Sequence, residues 1–133
     1  MGTKYGYKSL MVYRRSYQLA MEIFTLSQSF PAEERFGLTS QIRRSSRSVC
    51  ANLVEGYRKR EYIKNFYSKL SICDGELGET ALWLDIALDC AYISDEKHKK
   101  LFQLIDEIER MLASMMRNPE KFLPARLKRS PNN

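Results

Sequence analysis

The chain has one histidine, one tryptophan and three cysteines in 133 residues, and each scarcity removes a class of chemistry. With His98 alone, a Ser-His or Cys-His nucleophile pair has a single possible base, and no serine sits in a glycine-rich elbow that would present it. A di-iron bundle site needs a Glu-x-x-His motif on each of two helices. The only near match is Asp95-x-x-His98, and there is no second histidine to complete it. Cys50, Cys73 and Cys90 are odd in number and widely spaced, which argues against a disulfide framework, and no Cys-x-x-Cys pair clusters metal ligands. They read as buried, reduced, small hydrophobes. Glycine-rich phosphate loops are absent as well. The sequence therefore predicts no catalytic residue, metal or cofactor.

Long apolar runs are missing too. Nothing approaches the roughly 20 residues that a membrane span needs. Lys4 and Lys8 precede no apolar core or cleavage site, and Gly6 stands where a myristoylation motif wants Ser or Thr. The expected compartment is the cytoplasm, with no membrane partner.

What is present is ordinary in amount and uneven in placement. Hydrophobic residues make up 44% and charged residues 29% of the chain, the balance of one globular domain large enough to bury a core. The net charge is +6. Residues 1–73 hold 13 Lys and Arg against 5 Asp and Glu, residues 74–109 hold 3 against 10, and residues 110–133 hold 6 against 1. Such polarity favours anionic partners or head-to-tail self-association, unless these are merely solvated faces that balance one another.

Apolar spacing predicts four helices and no strand. The first runs from about Ser9 to Ser29, with Leu10, Tyr13, Tyr17, Ala20 and Phe24 as one stripe and Val12, Leu19, Ile23 and Leu26 beside it; Pro31 ends it. The second runs from about Leu38 to Tyr57. It is rich in small residues (Ser45, Ser46, Ser48, Cys50, Ala51, Gly56), which suits a central position where helices approach closely. The third, from about Glu61 to Ile93, repeats Phe66, Leu70, Cys73, Leu77, Ala81, Leu84, Leu88 and Ala91. Gly75 and Gly78 within it are expected to mark a close crossing or a bend, since each costs about 1 kcal/mol relative to alanine. Ser94 is the expected N-cap of a fourth helix ending at Asn118-Pro119. Long helices with short connections imply an all-α, antiparallel up-down four-helix bundle over residues 9–118. Residues 1–8 are expected to be a flexible N-terminus, and residues 119–133 a basic, disordered tail.

Candidate binding residues lie in the stretch Gln41 to Arg60, which holds six basic residues against one acid. Arg43, Arg44 and Arg47 are helical neighbours, while Arg58, Lys59, Arg60 and Lys64 sit at the following turn and helix start. Arginine's planar fork suits phosphate, and Tyr57, Tyr62 and Tyr67 interleave with the charges as stacking surfaces. The other reading pairs some of these arginines with Glu55, Glu61 or the third helix's acids, in the service of assembly. Asp74, Glu76, Glu79, Asp85 and Asp89 could in principle do acid-base work or hold a divalent cation. As an acidic stripe they would instead meet basic residues of a neighbouring helix or subunit.

The same stretch carries a family resemblance. Phe30-Pro31, Glu34-Arg35-Phe36-Gly37-Leu38, Gln41-Ile42-Arg43-Arg44-Ser45-Ser46, Ser48-Val49, Ala51-Asn52-Leu53-Val54-Glu55-Gly56 and, later, Phe66, Leu70-Ser71-Ile72, Gly75, Glu79 and Ala91-Tyr92-Ile93 resemble the four-helix-bundle proteins named for intervening sequences in bacterial 23S ribosomal RNA genes. The resemblance spans about Leu10 to Met116. Cys90-Ala91 departs from it where a glycine-containing turn is usual, and Cys50 where proline or a small residue is common. It implies an antiparallel bundle assembled as a homopentameric ring. It also implies kinship with the accessory protein of diversity-generating retroelements, a basic barrel that binds nucleic acid and reverse transcriptase. Asn52, Glu55 and Gly56 then read as structural residues. The expected function is a non-enzymatic homo-oligomer binding RNA or DNA through Arg43, Arg44, Arg47, Arg58, Lys59, Arg60 and Lys64. The alternative is a scaffold that docks a partner protein through its charged faces.

Overall fold

The computed structural model describes residues 5–128. Four helices, α1 (Met11–Ser27), α2 (Leu38–Arg58), α3 (Ile63–Asp89) and α4 (Asp95–Arg117), account for most of it, joined and flanked by 3-10 turns. No strand occurs among the described residues. Cross-helix pairs fix the directions. Arg43 and Arg47 of α2 reach Phe24 of α1; Arg44 reaches Glu76 and Glu55 reaches Lys69 across α2 and α3. Asp85 meets His98 between α3 and α4, and Arg15 meets Glu107 between α1 and α4. Each pair of neighbours therefore runs antiparallel, in the cyclic order α1-α2-α3-α4.

The core comes from one stripe per helix: Val12, Leu19 and Ile23; Ile42, Val49 and Leu53; Phe66, Leu70, Cys73, Leu77 and Leu84; Leu101, Ile105, Ile108 and Leu112. Two predicted stripes need correction. On α1 the second stripe is the buried one, while Tyr17 and Met21 stand in solvent and Tyr13 and Phe24 are half-buried. On α3 the deep positions are Thr80 and Ala87 rather than Ala81 and Leu88, because a straight helix of 3.6 residues per turn drifts away from a seven-residue repeat. Of the small residues of α2, Ser45, Ser46 and Gly56 pack inward, Ser48 and Cys50 are half-buried, and Ala51 is exposed. Ser45, Ser46, Ser16 and Thr80 are all buried, and the Ser45 and Thr80 hydroxyls lie 2.8 Å apart. Gly56 leaves no room for a side chain, since an added Cβ would stand 2.8 Å from Lys69 Cβ.

Gly75 and Gly78 mark no crossing within the chain: a Cβ at either would meet nothing within 4 Å. Nor are all three cysteines interior. Cys73 is buried and Cys50 half-buried, but Cys90 is exposed. Burial pushes the Cys50 thiol up to about 11 and the Cys73 thiol to about 12, so neither is a thiolate at neutral pH.

One end of the bundle is tied by a single carboxylate. Glu34, in the α1–α2 loop, accepts the Leu38 backbone N–H that opens α2 (3.1 Å) and the Tyr92 hydroxyl from the α3–α4 turn (2.9 Å). Tyr92 also packs its ring on Phe30, 5.6 Å between centroids. The α3–α4 turn closes as a Schellman motif, with Tyr92 N–H donating to Ala87 C=O and Ala91 N–H to Leu88 C=O. Ala91 adopts φ 62°, the left-handed conformation that favours glycine. Ser94 caps α4, its hydroxyl accepting the Lys97 N–H at 3.1 Å.

The α2–α3 turn and both termini gather at the opposite end. The stretch expected to be a disordered tail is ordered as far as it is described: Pro119–Phe122 and Ala125–Leu127 form 3-10 turns. Phe122 packs edge-on against Phe66, with centroids 6.0 Å apart, and Arg126 pairs with Glu61. Phe122 supplies the anchoring that a basic composition concealed. Residues 129–133 of that tail, and residues 1–4 of the N-terminus, lie outside the described residues, while Gly6–Ser9 forms a short 3-10 turn. The two ends differ in charge. Glu33, Glu34, Asp89, Asp95 and Glu96 share the loop end with Arg35, Lys97, Lys99 and Lys100, while at the other end Lys8, Arg58, Lys59, Lys64, Arg117, Lys121 and Arg126 outnumber Glu61 and Glu120.

Candidate nucleic-acid interface

The seven candidate cations separate into two groups with different surroundings. Those inside α2 are held by neighbouring helices. Arg43 donates from Nε to Ser27 Oγ at 2.7 Å and lies 4.9 Å over the Phe24 ring; Arg47 stands over the other part of the same ring at 5.9 Å. Arg44 turns the other way. It grips Glu76 with two nitrogens, at 2.9 and 3.1 Å, and also bonds Glu79. The guanidinium beside Glu76 holds that carboxyl down at about 2, and the acids raise the Arg44 pKa in return. Residues 43, 44 and 47 thus do not form one free patch. Their helical spacing is a neighbour relation, but α1 and α3 flank α2 on both sides and divide them.

The turn beyond α2 is different. Arg58, Lys59 and Lys64 are exposed and make no ion pair among the described residues. Arg60 is partly spent, donating to Tyr57 C=O at 3.0 Å and stacking 4.1 Å over the Tyr57 ring. Beside them opens a cleft of about 460 Å³ lined by Glu55, Arg58, Lys59, Asn65 and Lys69. Tyr62 and Tyr67 are exposed on the same end of α3. Gly56, one turn before the end of α2, lets α2 and α3 close tightly beneath this cleft.

The expected structural trio sorts differently from its grouping. Asn52 stays within α2, donating from Nδ2 to Ser48 C=O and Ser48 Oγ, each at 2.9 Å. Gly56 is the close contact, and Glu55 is exposed at the cleft, paired with Lys69 at 2.9 Å. Asn65 and Lys69, in the first and second turns of α3, escaped sequence reasoning because neither belongs to the basic run that drew attention. Their signal was the hairpin register, which places residue 69 opposite residue 55 once the α2–α3 turn is fixed.

Three of the five α3 acids, Glu76, Glu79 and Asp85, find partners inside the chain, while Asp74 and Asp89 make no ion pair among the described residues. Glu76 and Glu79 hold Arg44, and Asp85 bonds His98 Nε2 at 2.8 Å. His98 itself is tucked in, stacked on Phe102 with centroids 4.3 Å apart. Among the described residues, no three His, Cys, Asp or Glu side chains converge on a place that could hold a metal ion. No described helix is long and apolar enough to cross a membrane.

The fold and the spending of its motif residues on loop ties and close helix contact define a small helical-bundle protein. Comparison with known proteins places it more narrowly. The family model of the 23S rRNA-intervening sequence protein matches residues 8–114, and the chain belongs to that family. It is also similar to the crystal structure of a protein of unknown function from the S23 ribosomal protein family of Bacteroides thetaiotaomicron VPI-5482, with 28% identity and a TM-score of 0.72, covering 80% of this chain and 95% of that one. No curated protein matches significantly.

Proposed function

We propose that this protein is a non-enzymatic, homo-oligomeric nucleic-acid-binding protein that grips the phosphate backbone of RNA at the α2–α3 turn of each copy, five copies being the number its family resemblance implies. One observation carries the reading: Arg58 and Lys59 are exposed cations that make no ion pair among the described residues and line a cleft with Glu55, Asn65 and Lys69, and Lys64, equally exposed and unpaired, stands in the adjoining first turn of α3. Arg15, Arg43 and Arg44 are held by neighbouring helices, whereas Arg58, among the described residues, stands free beside Lys59 and Lys64. Exposed Tyr62 and Tyr67 beside them offer faces on which unpaired bases can stack. Nothing in the cluster has the rigid spacing of a base-edge reader, so affinity follows charge and shape rather than sequence.

The test is a salt titration of binding to single-stranded RNA, single-stranded DNA and duplex DNA. Three neutralised phosphates per site give a slope of log affinity against log salt of about −2 on a single strand. The triple substitution Arg58→Ala, Lys59→Ala, Lys64→Ala is expected to flatten that slope. An Arg43→Ala, Arg47→Ala pair leaves it unchanged, since those side chains stand over Phe24. Absence of any binding at about 50 mM salt would refute the reading.

A further inference from the structure

The cleft at the α2–α3 turn contains a group for which a phosphate site has no use. Arg58, Lys59 and Lys69 line it as cations and Asn65 as an uncharged amide, but Glu55 is an acid. Glu55 lies one turn before Arg58 and Lys59 on α2 and shares their face. A carboxylate there repels a phosphate and competes with it for the cations, so a site serving phosphate alone is better without it. Nor does the fold need it. The Glu55–Lys69 pair, 2.9 Å apart, leaves the two side chains 59% and 32% exposed, and an ion pair so open to water holds two helices together only weakly. Gly56, the next residue, already brings α2 against α3 by close contact. Lys69 occupies one carboxylate oxygen, Oε2, while Oε1 accepts nothing among the described residues. Asn65, exposed in the first turn of α3, makes no side-chain hydrogen bond among the described residues either.

The cleft thus joins a phosphate grip to an open acceptor. In a nucleic-acid strand the donor nearest the phosphates is the ribose 2′-hydroxyl, on the sugar carbon beside the one that carries the 3′-phosphate. DNA has only hydrogen at that place. We infer that Glu55 reads the ribose: its free oxygen accepts the 2′-hydroxyl of a nucleotide whose phosphates lie on Arg58, Lys59 and Lys69, so that the cleft selects RNA over DNA. At about 460 Å³ it has room for one sugar with its phosphates. A carboxylate holds a ribose hydroxyl in the same way in dinucleotide-binding folds. Because the hydroxyl accepts as well as donates, the Asn65 amide on the other wall can donate to the same oxygen. Lys69, bonded to Oε2, keeps the carboxylate at the cleft and offsets its charge against the incoming phosphates. A deoxyribose in this position strips water from the acid and returns no hydrogen bond, and a polar site left unpaired discriminates strongly. This deepens the proposed RNA binding, on which it rests: the kind of strand is told from its sugar, and its sequence is left unread.

Three short oligouridylates that differ only at the 2′ position test it: the ribo, the 2′-deoxy and the 2′-fluoro strand. Fluorine keeps the sugar pucker of RNA but donates no hydrogen bond, so it separates the hydroxyl from the shape of the strand. With full-length protein at about 50 mM salt, the ribo strand is expected to bind about tenfold more tightly than either of the others. Glu55→Ala removes the acceptor and the repulsion together. The 2′-deoxy and 2′-fluoro strands should then bind more tightly than to the parent, and the preference for the ribo strand should vanish. Glu55→Gln, which keeps a weaker, uncharged acceptor, should retain part of it. Glu55 is exposed and alanine suits a helix interior, so both variants keep the fold. If Glu55 serves only to hold Lys69, its removal shifts all three strands by one common factor and leaves the wild-type ratio intact; that result overturns the inference. So does a wild type that binds the ribo and 2′-fluoro strands equally, and in both cases the phosphate grip still stands. Failure of all three strands to bind overturns the phosphate grip itself.

Discussion

Replacing Ala91 with glycine should make this protein more stable, although it removes a methyl group and touches no contact. Ala91 sits at φ 62° in the residue position after α3 where a Schellman turn demands the left-handed conformation. An L-residue with a Cβ pays about 1–2 kcal/mol there. Glycine escapes that cost but enters folding with a freer unfolded chain, which takes back about 0.4–1 kcal/mol. The difference is about 1 kcal/mol in favour of Ala91→Gly. With an unfolding entropy of about 2.1 cal/mol/K per residue over 133 residues, that is a rise of about 4 °C in Tm. Because assembly raises apparent stability with concentration, the comparison belongs at matched concentrations, by urea denaturation as well as by melting. Ala91→Val is the control that should move the other way, its branched side chain being worse still in this conformation. The result that refutes the reasoning is an Ala91→Gly variant as stable as the parent or weaker: the turn would then hold no strain, and its two backbone bonds would form equally well in another geometry.

Other substitutions follow from the same contacts. Gly56→Val forces a side chain into the 2.8 Å approach to Lys69 and should cost about 1–3 kcal/mol by urea denaturation. Gly75→Ala, in open space, should raise stability by up to about 1 kcal/mol in dissociated protein. Arg44→Ala should cost under about 1 kcal/mol, because Arg44 is half-exposed and water screens the pair. Its signature is in the pH dependence: Glu76 is held near 2, below its ordinary value, so the pair stabilises above about pH 4.5 and its contribution is lost as pH falls toward 2. A flatter acid limb in the variant's urea midpoints checks this. Tyr92 has the opposite sign. Its hydroxyl, bonded to Glu34, is pushed up to about 12, so its contribution is whole below pH 10 and lost as pH rises toward 12. Tyr92→Phe should lower the denaturation midpoint near neutrality and remove that alkaline loss.

Much of the bundle was legible because its signals are local. Ser94 capping α4, Pro31 after α1 and the apolar periodicity of α2 and α4 each depend on residues within one or two turns. The errors share a different cause. Which of two apolar stripes on α1 faces inward depends on where α2 lies, and whether Gly75 marks a crossing depends on what stands opposite it. Spacing alone contains neither fact. The same holds for the arginines. Sequence placed residues 43, 44 and 47 on one side, and only the neighbours show that Arg43 belongs to α1 and Arg44 to α3. Residues such as Glu34 and Tyr92 read as motif without a mechanism until the fold brought them, 58 positions apart, to 2.9 Å. Phe36 has no such account: it stands 86% exposed in the midst of that motif, with only Arg35 against its ring.

The separation of charge between the two ends of the bundle has a consequence beyond any single site. A molecule whose charges nearly balance at one tip and are predominantly cationic at the other carries a dipole along its length. In the field of a polyanion it turns before it touches, basic end first. Rotation about an axis parallel to the bundles leaves that dipole unchanged in direction, so a closed ring of such copies cannot cancel it. The ring would be two-sided, like a coin with one strongly positive face and one whose charges nearly cancel, and a nucleic acid would be drawn to the first alone.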